Sequence, residues 1–201
     1  MELLYHVFPN ESTVFLQNIP AIKHCFSFQN LLYCLHLKGG ILLIRCATMK
    51  EWDEICAIYA RAREYMRQTG NPNQWKDNSP ALSALEEDIR LHQLYILEDT
   101  AGIQAVFALI PGNDPTYGYI EGSWLNDAPY AAIHRVASAG KRTGVLAQCL
   151  DYCIAKHQNL RIDTHFDNKI MQHLLEKYGF HRCGTIYLEN GDPRIAYQLI
   201  K

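Results

Sequence analysis

The stretch from His134 to Phe180 constrains this chain most. It reads as a strand, a glycine-bearing turn, an amphipathic helix, a second strand and a helix ending in Tyr178-Gly179-Phe180. A strand that enters a helix through a glycine turn leaves backbone N–H groups unpaired at the helix start. Those groups and the helix dipole together favour an anion such as a phosphate. The second strand–helix pair supplies a wall along which the rest of a long cofactor can lie.

The chain has 201 residues, which suits one domain or one domain with an added segment, and a formal net charge of −2, which gives no reason to expect nucleic acid or a membrane surface as partner. Hydrophobic residues make up 48%, enough for a sizeable core. No apolar run reaches the ~18 residues of a spanning helix. Met1-Glu2-Leu3-Leu4 lacks a basic n-region, and no small-residue cleavage site follows a clean apolar stretch, so no secretory signal is expected. The seven cysteines form no Cys-x-x-Cys pair; Cys149 and Cys153 lie four apart on a predicted helix among apolar neighbours. Reduced thiols packed in a cytoplasmic core account for them better than zinc.

Residues 1–40 mix aromatic and aliphatic residues without steady periodicity, with short strands possible at Val14–Gln17 and Leu31–Leu37. Two roles stay open for this segment: an extension packed on the domain or on a second copy in a homodimer, or a leader ahead of the fold. From Ile41 the order is clear. Ile41–Cys46 is a buried strand. Thr48 and Glu51 form a capping box for a helix carrying Trp52, Ile55, Tyr59, Ala62 and Met66 inward and ending at Gly70. Ser79-Pro80 opens the next helix, with Leu82, Leu85 and Ile89 on its apolar side. Leu94–Leu97 and Ile103–Ile110 form a hairpin. Strands follow at Tyr117–Ile120 and Ala131–Ser138, a helix at Gly144–His157, a strand at Leu160–Phe166, a helix at Asn168–Tyr178, and a hairpin of Cys183–Leu188 with Ile195–Ile200. The whole is an α/β (α+β) mixed sheet with helices on both faces.

The turn Gly140-Lys141-Arg142-Thr143-Gly144-Val145 leads into a helix. Its glycines let the backbone approach an anion, and Lys141 and Arg142 add positive charge. It is not a Walker A loop, because Lys141 precedes the second glycine, and Gly-x-Gly-x-x-Gly is absent. Taken alone, the turn reads better as an ordinary strand-to-helix loop with a solvated Lys-Arg pair.

From Ile41 to Lys201 the order of elements resembles the GNAT family of acetyl-CoA-dependent N-acetyltransferases. Ile133-His134-Arg135-Val136-Ala137-Ser138 is similar to the family's fourth strand, and Arg161-Ile162-Asp163-Thr164-His165 to its fifth. Asp167-Asn168 and Leu174-Leu175-Glu176-Lys177-Tyr178-Gly179-Phe180 resemble its Asn…Glu-Lys-x-Gly-Phe segment. Two residues depart from the pattern. Leu146 stands where the pyrophosphate turn ends in Gly or Ala, and Leu175 stands where many members carry a tyrosine acid.

The resemblance implies direct attack of an amine on the thioester of acetyl-CoA, with no metal. It implies that main-chain groups of Val136, Ala137 and Ser138 meet the thioester where two strands splay apart. The N–H groups of Arg142, Thr143, Gly144, Val145 and Leu146, with Lys141 beside them, hold the pyrophosphate. Asn168 bonds the cofactor arm or caps the last helix, two compatible roles. An alkylammonium must first lose a proton, so a base is needed; His134 and Glu121 are the candidates, and Tyr178 is the candidate acid for the departing sulfur. Asn71–Lys76, Trp124 and Asn126 are candidates for lining an acceptor site for a small-molecule or peptide amine.

Asp163, His165 and Asp167 alternate along one strand, but no clear fourth ligand faces them, so a polar sheet face is expected in place of a metal. Ser138 and Cys149 have no base-and-orienter pair for a nucleophilic triad. Two function classes remain: an acetyltransferase, and a non-catalytic acyl-CoA-binding or sensory module for which Leu146 and Leu175 speak.

Overall fold

Apolar strands and amphipathic helices alternate along the chain in the computed structural model, which describes residues 33–37, 40–76 and 79–201. The elements are β1 (Tyr33–Leu37), β2 (Gly40–Cys46), α1 (Trp52–Gln68), α2 (Leu82–Arg90), β3 (Leu94–Asp99), β4 (Gly102–Pro111) and β5 (Glu121–Gly122). After them come β6 (Ala131–Ser138), α3 (Val145–Lys156), β7 (Asn159–Thr164), α4 (Lys169–Lys177), β8 (His181–Tyr187) and β9 (Pro193–Ile200). The strands form one sheet in the order β1-β2-β3-β4-β6-β7-β9-β8-β5. All pairings are antiparallel except β6 with β7, whose connection runs through α3.

The two larger of three apolar clusters lie on opposite faces of the sheet. Phe107, Ile133, Ile162, Ile195 and Tyr197 pack under α3 and α4, with Cys149 and Cys153 buried among them. Burial pushes both thiols up, as suits inert core cysteines. On the other face Leu94, Ile96, Val106 and Ala108 pack under α1 and α2 against Ile55, Tyr59, Leu85 and Ile89. The capping box expected at Thr48 is present: the Thr48 backbone N–H donates to Glu51 Oε2 at 2.8 Å, and the Thr48 side chain accepts from the helix turn. It begins a short 3-10 turn that runs into α1.

Several expected elements shift. α2 begins at Leu82, after Ala81, so Pro80 lies outside the helix, and Leu82 points to solvent while Leu85 and Ile89 are buried. Residues 117–120 form no strand; Pro115–Tyr117 is a 3-10 turn capped by Asp114, and pairing resumes only at Glu121–Gly122 on the far edge of the sheet. The reason lies in Asp114-Pro115: the carboxylate accepts from the Thr116 N–H at 2.8 Å and Pro115 sits at the first helical position, which favours a turn over an extended chain. β7 stops at Thr164, so His165 and Asp167 leave the strand for the α4 cap and do not share a face with Asp163. Tyr33–Leu37 pairs along β2; the expected strand at Val14–Gln17 lies outside the described residues.

Leu175 is fully buried under the sheet. Truncating it to alanine is expected to cost about 2–5 kcal/mol, read as a lowered urea midpoint at unchanged m-value.

Candidate active site

The parallel ladder between β6 and β7 is short. Ala131, Ala132 and Ile133 pair with Leu160, Arg161 and Ile162, and there it ends although β6 runs on to Ser138. The cause is a bulge. The β4–β6 register jumps between Ala108↔His134 and Val106↔Ala137, and Arg135 takes a left-handed φ of 55°. Two contacts hold this unfavourable backbone: Tyr59 Oη donates to the Arg135 carbonyl at 2.8 Å, and the Arg135 guanidinium meets the buried Asp88 carboxylate at 2.9 Å.

Two cavities open beside the unzipped strands. One, of about 830 Å³, lies between α1, the 139–147 turn and the start of α4. The other, of about 530 Å³, lies between residues 74–76 and 79–84, the sheet and the β8–β9 tip. Val136 and Met171 line both, so the cavities meet at the gap.

The larger cavity ends at the helix start foreseen from the sequence. Gly140 and Gly144 hold φ of 71° and 77°, and at Gly144 a side chain would meet nothing, so backbone angle alone calls for glycine there. No side chain caps α3, so the amides of its first turn are left for an anion, whereas α4 is capped by Asn168 Oδ1 accepting from the Met171 N–H at 3.1 Å. Val136, Ala137, Ser138, Arg142, Thr143, Gly144, Val145, Leu146 and Asn168 all line this cavity. Lys141 is not among its walls; it turns to Glu54 at 3.5 Å, while Arg142 reaches Asp99 at 3.3 Å. Leu146 is half-buried, with part of its side chain packed on the core under α3. Asn71, missed by the sequence reading as a cofactor-wall residue, is buried there, and its Oδ1 has no partner among the described residues.

The smaller cavity holds the titratable groups. His134 Nε2 lies 2.8 Å from Asp114 Oδ2, and its Nδ1 lies 3.8 Å from Asp163 Oδ1. Tyr117 Oη donates to the same Asp163 oxygen at 2.9 Å, and its ring stands 5.6 Å from the imidazole. Burial opposes the charge on Asp114, but His134 and the Thr116 hydroxyl and N–H outweigh it and bring the carboxyl down to about 2. Burial and the Asp163 charge raise the Tyr117 phenol, which stays neutral and donates. The roof is tied down: Trp75 meets Tyr59 edge-on at 5.6 Å, Lys76 pairs with Asp192 at 2.8 Å, and Asn168 Nδ2 donates to Gln74 Oε1 at 2.8 Å.

Four expected site residues lie elsewhere. Glu121 is exposed on the outer edge strand, beside Thr185 and bonded to Tyr187, and lines neither cavity. The strand expected before it was the 3-10 turn, which carries the chain past the site. Tyr178 also lines neither cavity; its Oη donates to the Ala147 carbonyl at 3.2 Å, and burial with Asp151 pushes it up to about 12, so it locks α4 onto α3. Trp124 and Asn126 pack around Arg161 instead of the acceptor cavity, the guanidinium lying 4.1 Å from the Trp124 ring and donating to the Asn126 carbonyl. Asp114 was legible only as an Asp-Pro turn signal, and nothing local placed it, Tyr117 or Asp163 beside His134.

No protein-family profile matches the chain, and no curated protein does. Among solved structures, a GNAT-family acetyltransferase from Streptococcus agalactiae is 32% identical, with a TM-score of 0.73 over 85% of this chain and 99% of that one. The chain therefore belongs to the GNAT family of acetyltransferases. A GNAT-family acetyltransferase from Listeria monocytogenes, 18% identical, shares the fold with a TM-score of 0.65 over 84% of this chain and all of that one. RimJ from Mycobacterium smegmatis, solved in complex with CoA-disulfide, is 13% identical and shares the fold with a TM-score of 0.54 over 84% and 86% of the two chains. No helix among the described residues is long and apolar enough to cross a membrane.

Because the folded Asp114 carboxyl titrates near 2 instead of 3.8, its contribution to stability is complete above the unfolded value and fades as pH falls through the folded one. Asp114→Asn is expected to be about 2 kcal/mol less stable than the parent at pH 6. That gap should close as pH falls from about 5 to 2. Urea unfolding of both proteins across this range checks it.

Proposed function

We propose that this protein moves the acetyl group of acetyl-CoA onto an amine by direct attack. One observation carries the reading: the gap between β6 and β7 joins a cavity ending at an uncapped helix start to a cavity holding a carboxylate-paired histidine. The pyrophosphate would sit on the amides of Arg142 to Leu146, and the arm would run past Asn168 and Val136. The orphaned Asn71 Oδ1 suits an amide N–H of that arm, since a buried acceptor without a donor is costly.

The thioester would then lie near the Val136–Ser138 backbone, whose N–H groups stabilise the oxyanion. In this reading the Asp114 carboxylate, 2.8 Å from Nε2, keeps the imidazole proton on that nitrogen, which leaves Nδ1 to take a proton from the acceptor's ammonium group. The freed nitrogen attacks the carbonyl carbon, the C–S bond breaks, and the nitrogen's second proton passes through water to the departing sulfur. The ordered Asp114–His134 contact favours turnover over a binding-only module. The acceptor is a small molecule, in keeping with the about 530 Å³ of the smaller cavity.

Acetyl-CoA is expected to bind in calorimetry and raise the Tm. His134→Gln should keep that affinity while thiol release falls by about 10²–10⁴-fold. Absence of any binding at millimolar acetyl-CoA refutes the cofactor reading; an unchanged rate in the variant removes His134 as the base.

A further inference from the structure

Arg194 stands on β9 at the wall of the smaller cavity and is buried, with a relative exposure of 4%. Its guanidinium donates at 2.9 Å to the Pro193 carbonyl and at 3.0 Å to the Gln74 carbonyl. Five N–H donors belong to this group, so three are uncommitted. No carboxylate of the described residues lies within 4 Å of it.

Three of the cavity's four acids are engaged elsewhere, Asp114 with His134, Asp163 with the Tyr117 hydroxyl and Asp192 with Lys76, and the fourth, Glu189, is exposed at the rim and makes no ion pair with Arg194. Burial opposes the charge on Arg194, and Asp163 and Asp192 offset this only from a distance. A desolvated cation without an ion-pair partner is unfavourable, and an anion docked on its free N–H groups would relieve it.

The strand register places this cation relative to the proposed base. Ile133 pairs with Ile162, and Asp163 with Ala196. With side chains alternating along strands, His134, Asp163 and Arg194 share one face of three neighbouring strands. The cavity thus has a negative and basic end at Asp163 and His134 and an unpaired cation at Arg194.

We infer that the acceptor is a zwitterionic amino acid, its carboxylate held by the free N–H groups of Arg194 and its amino group delivered to Asp163 and His134. The inference rests on the acetyl-transfer reading for the reaction but on Arg194 alone for the substrate class. A bidentate guanidinium–carboxylate contact fixes both distance and plane, which a lone lysine does not. A polyamine or other amine without a carboxylate would leave Arg194 as it stands and crowd a second cation beside it.

Thiol release from acetyl-CoA, measured on amino acids and on their carboxamides, tests this. The wild type should favour the acid by about 10–100-fold in kcat/KM, the worth of one charge-assisted contact. Arg194→Gln should bring the ratio of acid to carboxamide close to one. Loosening of the Gln74 loop would lower both rates and leave the ratio, so a preserved ratio overturns the proposal, as does a wild-type preference for the carboxamide or for decarboxylated amines.

If acetyl-CoA binds but no amine releases thiol, the transfer reading fails and the carboxylate site is read by binding. With CoA present, N-acetylalanine should bind the wild type in calorimetry. N-acetylalaninamide should bind about tenfold more weakly, and Arg194→Gln should abolish the difference. Equal binding of the two ligands by the wild type overturns the site.

Discussion

The place where β6 and β7 part company governs everything that follows in this molecule. Three residue pairs hold the two strands, and beyond Ile133 and Ile162 they diverge. A parallel pair at the centre of a sheet normally continues, because each unpaired backbone group loses a hydrogen bond. Here Arg135 adopts a left-handed backbone, and β6 turns away from its neighbour. Tyr59 from α1 and Asp88 from α2 hold that residue from one side of the sheet. The helices on this face therefore do more than cover apolar surface. They stabilise a backbone conformation that opens the sheet, and the cavities on either side of the gap depend on it.

The two cavities are built by different physical means. The larger relies on backbone: left-handed glycines and a helix start without a side-chain cap. The two cations of the turn pair with Glu54 and Asp99, and the amides of the helix start have no side-chain cap. The smaller relies on side chains in committed pairs, Asp114 with His134, Asp163 with Tyr117 and Lys76 with Asp192. Such pairing restricts the orientation of each group.

Much of the fold was legible from periodicity and caps. The strand Ala131–Ser138 appears over the expected residues, α3 and α4 lie within a residue of the expected bounds, and the Thr48–Glu51 box begins the first helical stretch. Failures cluster where a turn signal competed with an apolar pattern. Tyr117–Ile120 carries strand-like residues, yet the Asp114-Pro115 cap ahead of it starts a 3-10 turn. Leu82 follows helical spacing but sits at the helix start, beyond the reach of the core. Of the candidate site residues, those whose role depends on backbone in the 136–146 stretch gather at one cavity, Lys141 turning aside. Those nominated by side-chain chemistry scatter: His134 reaches a cavity, whereas Glu121 and Tyr178 do not.

Local sequence determined the strand–turn–helix around Gly140 and Gly144, because backbone angles and helix starts depend on residues a few positions apart. It determined which faces of the strands and helices were apolar for the same reason. Tertiary structure alone decided that Asp114, Tyr117, Asp163 and Arg194 would gather with His134, since these residues come from four separate segments brought together by strand order and register. The sheet places β6, β7 and β9 side by side although helices and a hairpin separate them along the chain. A pattern read along one segment carries no information about its neighbours across a sheet, and the chemistry of this site lies in those neighbours.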